Sequence, residues 1–257
     1  MRSVGPPVVR GVWAIAAALL AACGGGHPAA SPPPAPSAAR STAAPIDTVG
    51  LPRVRFSPGT TSGIRDDKLT AGATRSYVLN AQGGQIMLAH AISWPVAEAE
   101  HPPPEPVVRV FVAATGLELP SPRAEPGVWS ARLPLTGDYV VRVTAEAPTA
   151  YTLAVQIPKR VETSPTEPTA VFTGTAPSRA PVDFLVRVDA GRTLEVTLGG
   201  APTVGLHIYG LNDGVQLARL SDRQRLYAGR VETTQDYVVS MVPGVERAAY
   251  DLRVTVR

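Results

Sequence analysis

Few side chains in this 257-residue chain are of the kinds that make or break bonds. There are four histidines (His27, His90, His101 and His207) and a single cysteine, Cys23. No two histidines stand at metal-ligand spacing. One cysteine cannot build a disulfide framework, a cysteine zinc site or an iron–sulfur cluster. Asp66-Asp67 could supply half of an oxygen-rich cation site, and Asn212-Asp213-Gly214 has the composition of a cation loop. The simpler readings are solvated turn carboxylates for the first and a hairpin turn for the second. G-x-S-x-G, the P-loop and H-E-x-x-H are all missing. The chain is therefore expected to be no enzyme and to need no cofactor or metal. Its 24 Lys+Arg against 21 Asp+Glu are scattered, which excludes the clustered basic stripe of a nucleic-acid binder.

The one cysteine sits where its chemistry is readable. Arg2 and Arg10 precede an apolar run from Val12 to Ala22, too short to span a bilayer core of roughly 30 Å. The run ends in Leu20-Ala21-Ala22-Cys23, which resembles the lipobox of bacterial lipoproteins. That resemblance implies a signal peptide over 1–22, and acylation, palmitate included, of Cys23 as the mature N-terminus. A multiply acylated residue anchors stably, because each buried CH₂ adds about 0.8 kcal/mol. Gly24 follows rather than Asp, which by the same resemblance favours the outer membrane, with the protein facing the periplasm. From Gly24 to about Thr48 the sequence is Gly, Pro, Ala and Ser, with Ser31-Pro32-Pro33-Pro34-Ala35-Pro36 at its centre. Such composition cannot bury enough surface to fold, so 23–48 reads as a lipidated, disordered tether.

Beyond the tether the sequence repeats. Trp129–Tyr139 and Tyr227–Tyr237 carry aromatics at the same spacing, 98 residues apart, and the offset also superposes Phe111 on Tyr209 and Gly116 on Gly214. Upstream the offset is 107, matching Tyr77 to Phe184 and Gly84 to Gly191. The difference is an insertion in the first copy, between Trp94 and Pro106. Within each copy apolar and polar residues alternate, as in Tyr250, Leu252, Val254 and Val256 against Asp251, Arg253, Thr255 and Arg257. Period two with one polar face predicts strands half-buried in antiparallel sheets. Turn signals at Gln82-Gly83-Gly84, Thr136-Gly137 and Ala190-Gly191 separate them. The fold class is all-β: two tandem antiparallel, jelly-roll-like β-sandwich domains over 49–158 and 169–257, joined by a polar connector at 159–168. His90 and His207 fall on the polar parity and are expected to be solvated, as are His27 in the tether and His101 in the insertion.

The order of motifs in the first copy resembles a known family. Val54-Arg55-Phe56-Ser57-Pro58-Gly59, Tyr77, Gly84-Gln85, Leu133-Pro134-Leu135-Thr136-Gly137-Asp138-Tyr139 and Tyr151–Ile157 are similar to the periplasmic inhibitors of g-type lysozyme. They are also similar to the broader pre-peptidase C-terminal domains of secreted proteases. The resemblance covers roughly 54–158. In those inhibitors a Ser-Gly-x-Tyr loop enters the muramidase cleft, which implies a partner-binding role for Thr136, Gly137, Asp138 and Tyr139. The implied function is an envelope lipoprotein that binds and inhibits lysozyme through loops of its first sandwich. The alternative is a scaffolding or adhesion lipoprotein that grips another envelope protein or a glycan. Trp94 and the acidic insertion after it are then the expected contact. Oligomeric state is not legible.

Overall fold

The computed structural model describes residues 43–94, 103–123, 125–220 and 223–257. Cys23, His27, His101 and most of the insertion lie outside the described residues. Seventeen strands and no α-helix are found among those described. The first copy pairs β1 (Ser62–Leu69), β8 (Thr149–Gln156), β3 (Ile86–Trp94) and β6 (Val128–Arg132) into one sheet. Its second sheet orders β2 (Thr74–Ala81), β7 (Gly137–Thr144), β4 (Val107–Val112) and β5 (Glu118–Leu119). The second copy repeats this plan. One sheet orders β10 (Thr169–Ala176), β17 (Ala248–Val256), β12 (Thr193–Gly200) and β15 (Leu226–Arg230). The other orders β14 (Gln216–Ala218), β13 (Gly205–Gly210), β16 (Gln235–Val242) and β11 (Val182–Val188), with β9 (Lys159–Val161) added at its edge. The fold is thus two β-sandwiches of identical strand order.

Each sandwich has its own core between its two sheets. In the first, Trp129, Tyr77, Tyr139, Tyr151 and Leu153 are fully buried. Tyr77 and Tyr151 place their hydroxyls 2.6 Å apart, and Tyr77 donates to Asp67 at 2.9 Å, so both phenols are satisfied inside the core. Burial pushes the Tyr151 hydroxyl up to about 12. In the second sandwich Leu194, Val196, Leu206, Ile208, Val239 and Leu252 play the corresponding part.

The stretch 159–168 is more than a connector. Lys159–Val161 pairs in parallel with Phe184–Val186 and so opens the second sandwich. Arg53 does the same in the first copy, bridging in parallel to Val78. Arg53 and Arg160 stand at the upstream offset of 107, so the strand belongs to the repeat. Order also begins before residue 49. Ile46 donates its N–H to the Ala113 carbonyl at 2.9 Å, and with Leu51 it packs on Phe111, Ala113 and Val140. Gly116 lets this strap pass, since a Cβ there would lie 2.0 Å from the Ala44 carbonyl oxygen.

The two sandwiches form one compact unit. The outer face of the β1-β8-β3-β6 sheet packs on the outer face of the sheet containing β13, β16 and β11. Ile86 and Leu88 from the first copy meet Leu185, Tyr209, Leu211 and Val238 from the second. Both faces of these sheets are therefore covered, and β8 and β16 are buried almost along their whole length. The expected alternation survives only where one face meets water, as along β10 and β15.

A seam of this kind couples the two halves. Hydrogen exchange should show the amides of β8 and β16 opening together with the global transition. Leu88→Ala, which leaves a hole at a fully buried seam position, should cost about 2–4 kcal/mol in urea titrations and separate the two sandwiches' exchange profiles.

Candidate functional site

Two places gather the side chains that chemistry or recognition would use. The first is the turn ahead of β7. Thr136 receives the Gly83 N–H on its Oγ1 at 2.9 Å. Asp138 is held by Arg53 at 2.7 Å and by Asn80 at 3.0 Å, and these hydrogen bonds, Arg53 first, keep its carboxyl below the ordinary carboxylate range. The Tyr139 ring is in the core, and its hydroxyl donates back to the Leu135 carbonyl while accepting the Leu135 N–H. What remains outside is the tip: Pro134, Leu135 and Thr136 are exposed, Leu135 to 53%.

The second copy repeats the frame without the tip. Ala190 N–H donates to Thr234 at 2.8 Å, Tyr237 donates to the Thr233 carbonyl at 2.9 Å, and Arg160 holds Asp236 at 2.7 Å. Burial is the largest influence and would raise the Asp236 carboxyl, but Arg160 together with the Arg187 and Arg132 charges holds the group low. Thr136, Asp138 and Tyr139 thus have construction duties shared by both copies. Pro134 and Leu135 do not recur, since Glu232 and Thr233 stand in their places.

The second place is the seam. His90 and His207 are not solvated: they are only 5% and 7% exposed. Their strand parity faces away from each core, as expected, but the other sandwich is there instead of water. His90 Nε2 meets Asp183 at 2.8 Å across the seam, with the Asp183 carboxylate wholly buried. Asp183, Ser240 and His207 form one cross-strand row over β11, β16 and β13. Gln156 ties the same region together, donating to the Pro181 carbonyl at 2.8 Å and accepting the Asp183 N–H. Arg123, itself buried, donates to Glu125, lies 4.3 Å over the Tyr209 ring and approaches His207 Nδ1 at 3.4 Å.

Trp94, the other expected contact, lies at the end of β3 with Arg179 stacked 4.4 Å over its ring. It is half-buried and engaged with the second copy. Arg132 strengthens the same joint by donating to the Gly84 carbonyl at 2.7 Å and reaching Asp236 at 3.4 Å. Among the described residues no group of three His, Cys, Asp or Glu side chains is placed to hold a metal ion.

Along the seam lies a cavity of about 330 Å³. His90, His207 and Ser240 line it together with Ile92, Val128, Pro181 and Val242, and Glu105 and Glu125 also contribute. This cavity went unseen in the sequence, because its walls come from both repeats.

Burial first, then the neighbouring Arg123 charge, holds the His207 imidazole down to about 3. The unfolded chain takes up that proton near pH 6.5, so between these values it binds more protons than the folded chain. Stability is therefore complete above about pH 6.5 and declines as the pH falls towards 3. Thermal melts of the wild type and His207→Gln should diverge in this sense, with a shallower acid decline in the variant.

The chain matches no family model, and no curated protein matches it. Among solved structures it is similar to Aeromonas hydrophila PliG, a periplasmic lysozyme inhibitor of g-type lysozyme. The identity is 20%, the match covers 41% of this chain and 94% of that one, and the TM-score is 0.34. For Salmonella Typhimurium PliG the identity is 13%, the coverage 38% and 96%, and the TM-score 0.31. The CUB1-EGF-CUB2 domain of human MASP-1/3 is 9% identical over 77% of this chain and 100% of that one, with a TM-score of 0.22.

Proposed function

We propose that this protein is a non-catalytic lipoprotein of the cell envelope, anchored through Cys23, that binds and inhibits a lysozyme through its first sandwich, the g-type enzyme being favoured. The observation that supports the reading is the tip at Pro134–Thr136, an exposed apolar and hydroxyl-bearing turn on a fixed frame. Tyr139, Asp138 and the Gly83 N–H hold the turn from below, so little ordering is left to do on binding. Thr136 Oγ1 accepts the Gly83 N–H and keeps its own proton to donate. Glycosidases work with a pair of carboxylates flanking the scissile bond. A hydroxyl donated to one of them, with Leu135 packed on the cleft wall, would occlude the substrate without any reaction. Gly137 has open space where a Cβ would be, so the turn can come close to a partner's backbone.

Tyr139 serves this function as a brace and not as a contact. Residues 24–257, without the lipid, titrated into a muramidase clearing assay should inhibit g-type lysozyme at near-stoichiometric dose and leave c-type and i-type enzymes active. Leu135→Asp should raise the inhibitory concentration at least tenfold with the fold unchanged by circular dichroism. Folded protein that inhibits none of the three enzymes overturns the reading and leaves the scaffolding alternative.

A further inference from the structure

The cavity at the seam has a chemical bias of its own, independent of the tip at Leu135. Its walls are largely aliphatic, from Ile92, Val128, Pro181 and Val242. Arg123 is already matched by Glu125, and behind the lining His90 Nε2 holds Asp183 Oδ2 at 2.8 Å while Asp183 Oδ1 has no partner. His207 is neutral at ordinary pH. Arg219 also borders the cavity, on an exposed part of the chain.

Glu105 is different. Its carboxylate accepts the Ser93 N–H at 2.8 Å, and no Lys or Arg among the described residues reaches it. Glu105 is exposed as a residue and stands at the cavity mouth, where partial desolvation raises its proton affinity and the Ser93 hydrogen bonds only partly offset this. A second polar group waits deeper in. Ser240 is 1% exposed, lines the cavity from the seam face of β16, and its Oγ has no hydrogen-bond partner. A buried hydroxyl without a partner is costly unless something in the site uses it.

We propose that this cavity binds a small organic cation with an apolar body. The cationic N–H groups pair with Glu105 and use Ser240 as an acceptor, while the body lies against the aliphatic walls. The cavity is large enough for a body of roughly ten non-hydrogen atoms. An anion is disfavoured by the uncompensated carboxylate, and a neutral isostere leaves that carboxylate unmatched.

Benzamidine, benzamide and benzoate share one shape and differ in charge, so they make the test. Titrated into the purified protein by calorimetry, benzamidine should bind at least tenfold more tightly than benzamide, with benzoate weakest. Backbone amides of Ala91 and Gly127, both lining the cavity, should shift in ¹⁵N-resolved spectra. Glu105→Gln should reduce benzamidine to the benzamide level, Glu105→Asp should retain part of the preference, and Ser240→Ala should weaken binding a few-fold. Equal affinities for the three probes overturn the proposal. So does a cation preference that survives Glu105→Gln, or amide shifts confined to other parts of the chain.

Discussion

Two sheets from different copies share one interior, and that interior must satisfy polar groups as well as apolar ones. A sheet with solvent on one face can leave its outward polar residues to water. The β1-β8-β3-β6 sheet and its neighbour have no such outlet, so polar side chains on their facing surfaces depend on protein partners, which most find and Ser240 does not. His90 with Asp183, Gln156 with the backbone at Pro181 and Asp183, and Arg123 with Glu125 and the Tyr209 face supply them. The apolar patch of Ile86, Leu88, Leu185, Tyr209, Leu211 and Val238 lies alongside. Removing one partner of a buried charged pair leaves the other uncompensated, which is why such a joint holds one geometry. The cavity beside it lies at the β6 and β14 edges, where Val128 and Gln216 border it.

Within each sandwich a smaller device recurs. An arginine ahead of the first hairpin (Arg53, or Arg160 in β9) clamps the aspartate near the start of β7 or β16, a threonine caps the turn opposite, and a tyrosine hydroxyl closes the loop onto its own backbone. The device keeps the turn in one conformation whatever residues stand at its tip. This separates construction from recognition: four residues hold the frame, and the exposed residues at the tip differ between the copies. In the first copy these are Pro134 and Leu135, in the second Glu232 and Thr233.

Much of this was legible. The all-β class, the turns at Gly84 and Gly191 and the two copies all follow from alternation and fixed offsets, and β17 alternates as its sequence does from Tyr250 to Val254. The misreading of His90 and His207 has a physical cause. A polar residue on the outward parity looks the same whether water or a second sheet lies beyond it. A signal was nonetheless present: Ile86–Ile92 is apolar at every position but His90, and such an unbroken run marks a strand covered on both faces. Carrying the offset of 107 back to Arg53 and Arg160 would likewise have assigned β9 to the repeat. Arg123, Ser240 and Glu105 could not be brought together from one dimension, since no spacing rule links residues on opposite walls of a seam.

The joint between the copies uses different faces of the same unit. The first copy offers its β1-β8-β3-β6 sheet, and the second offers the counterpart of the first copy's other sheet. Such a head-to-tail contact has no inherent stop; repeated between molecules it would grow a filament. Both ends are closed off. At one end Phe111, Ala113 and Val140, the counterparts of Tyr209, Leu211 and Val238, lie beneath Ile46 and Leu51. At the other, the positions matching Ile86, Leu88 and His90 are Thr193, Glu195 and Thr197, and those matching Thr152 and Ala154 are Asp251 and Arg253. The short stretch carrying Ile46 and Leu51 therefore acts as a chain terminator: it occupies the growing end of an array that stops at two units.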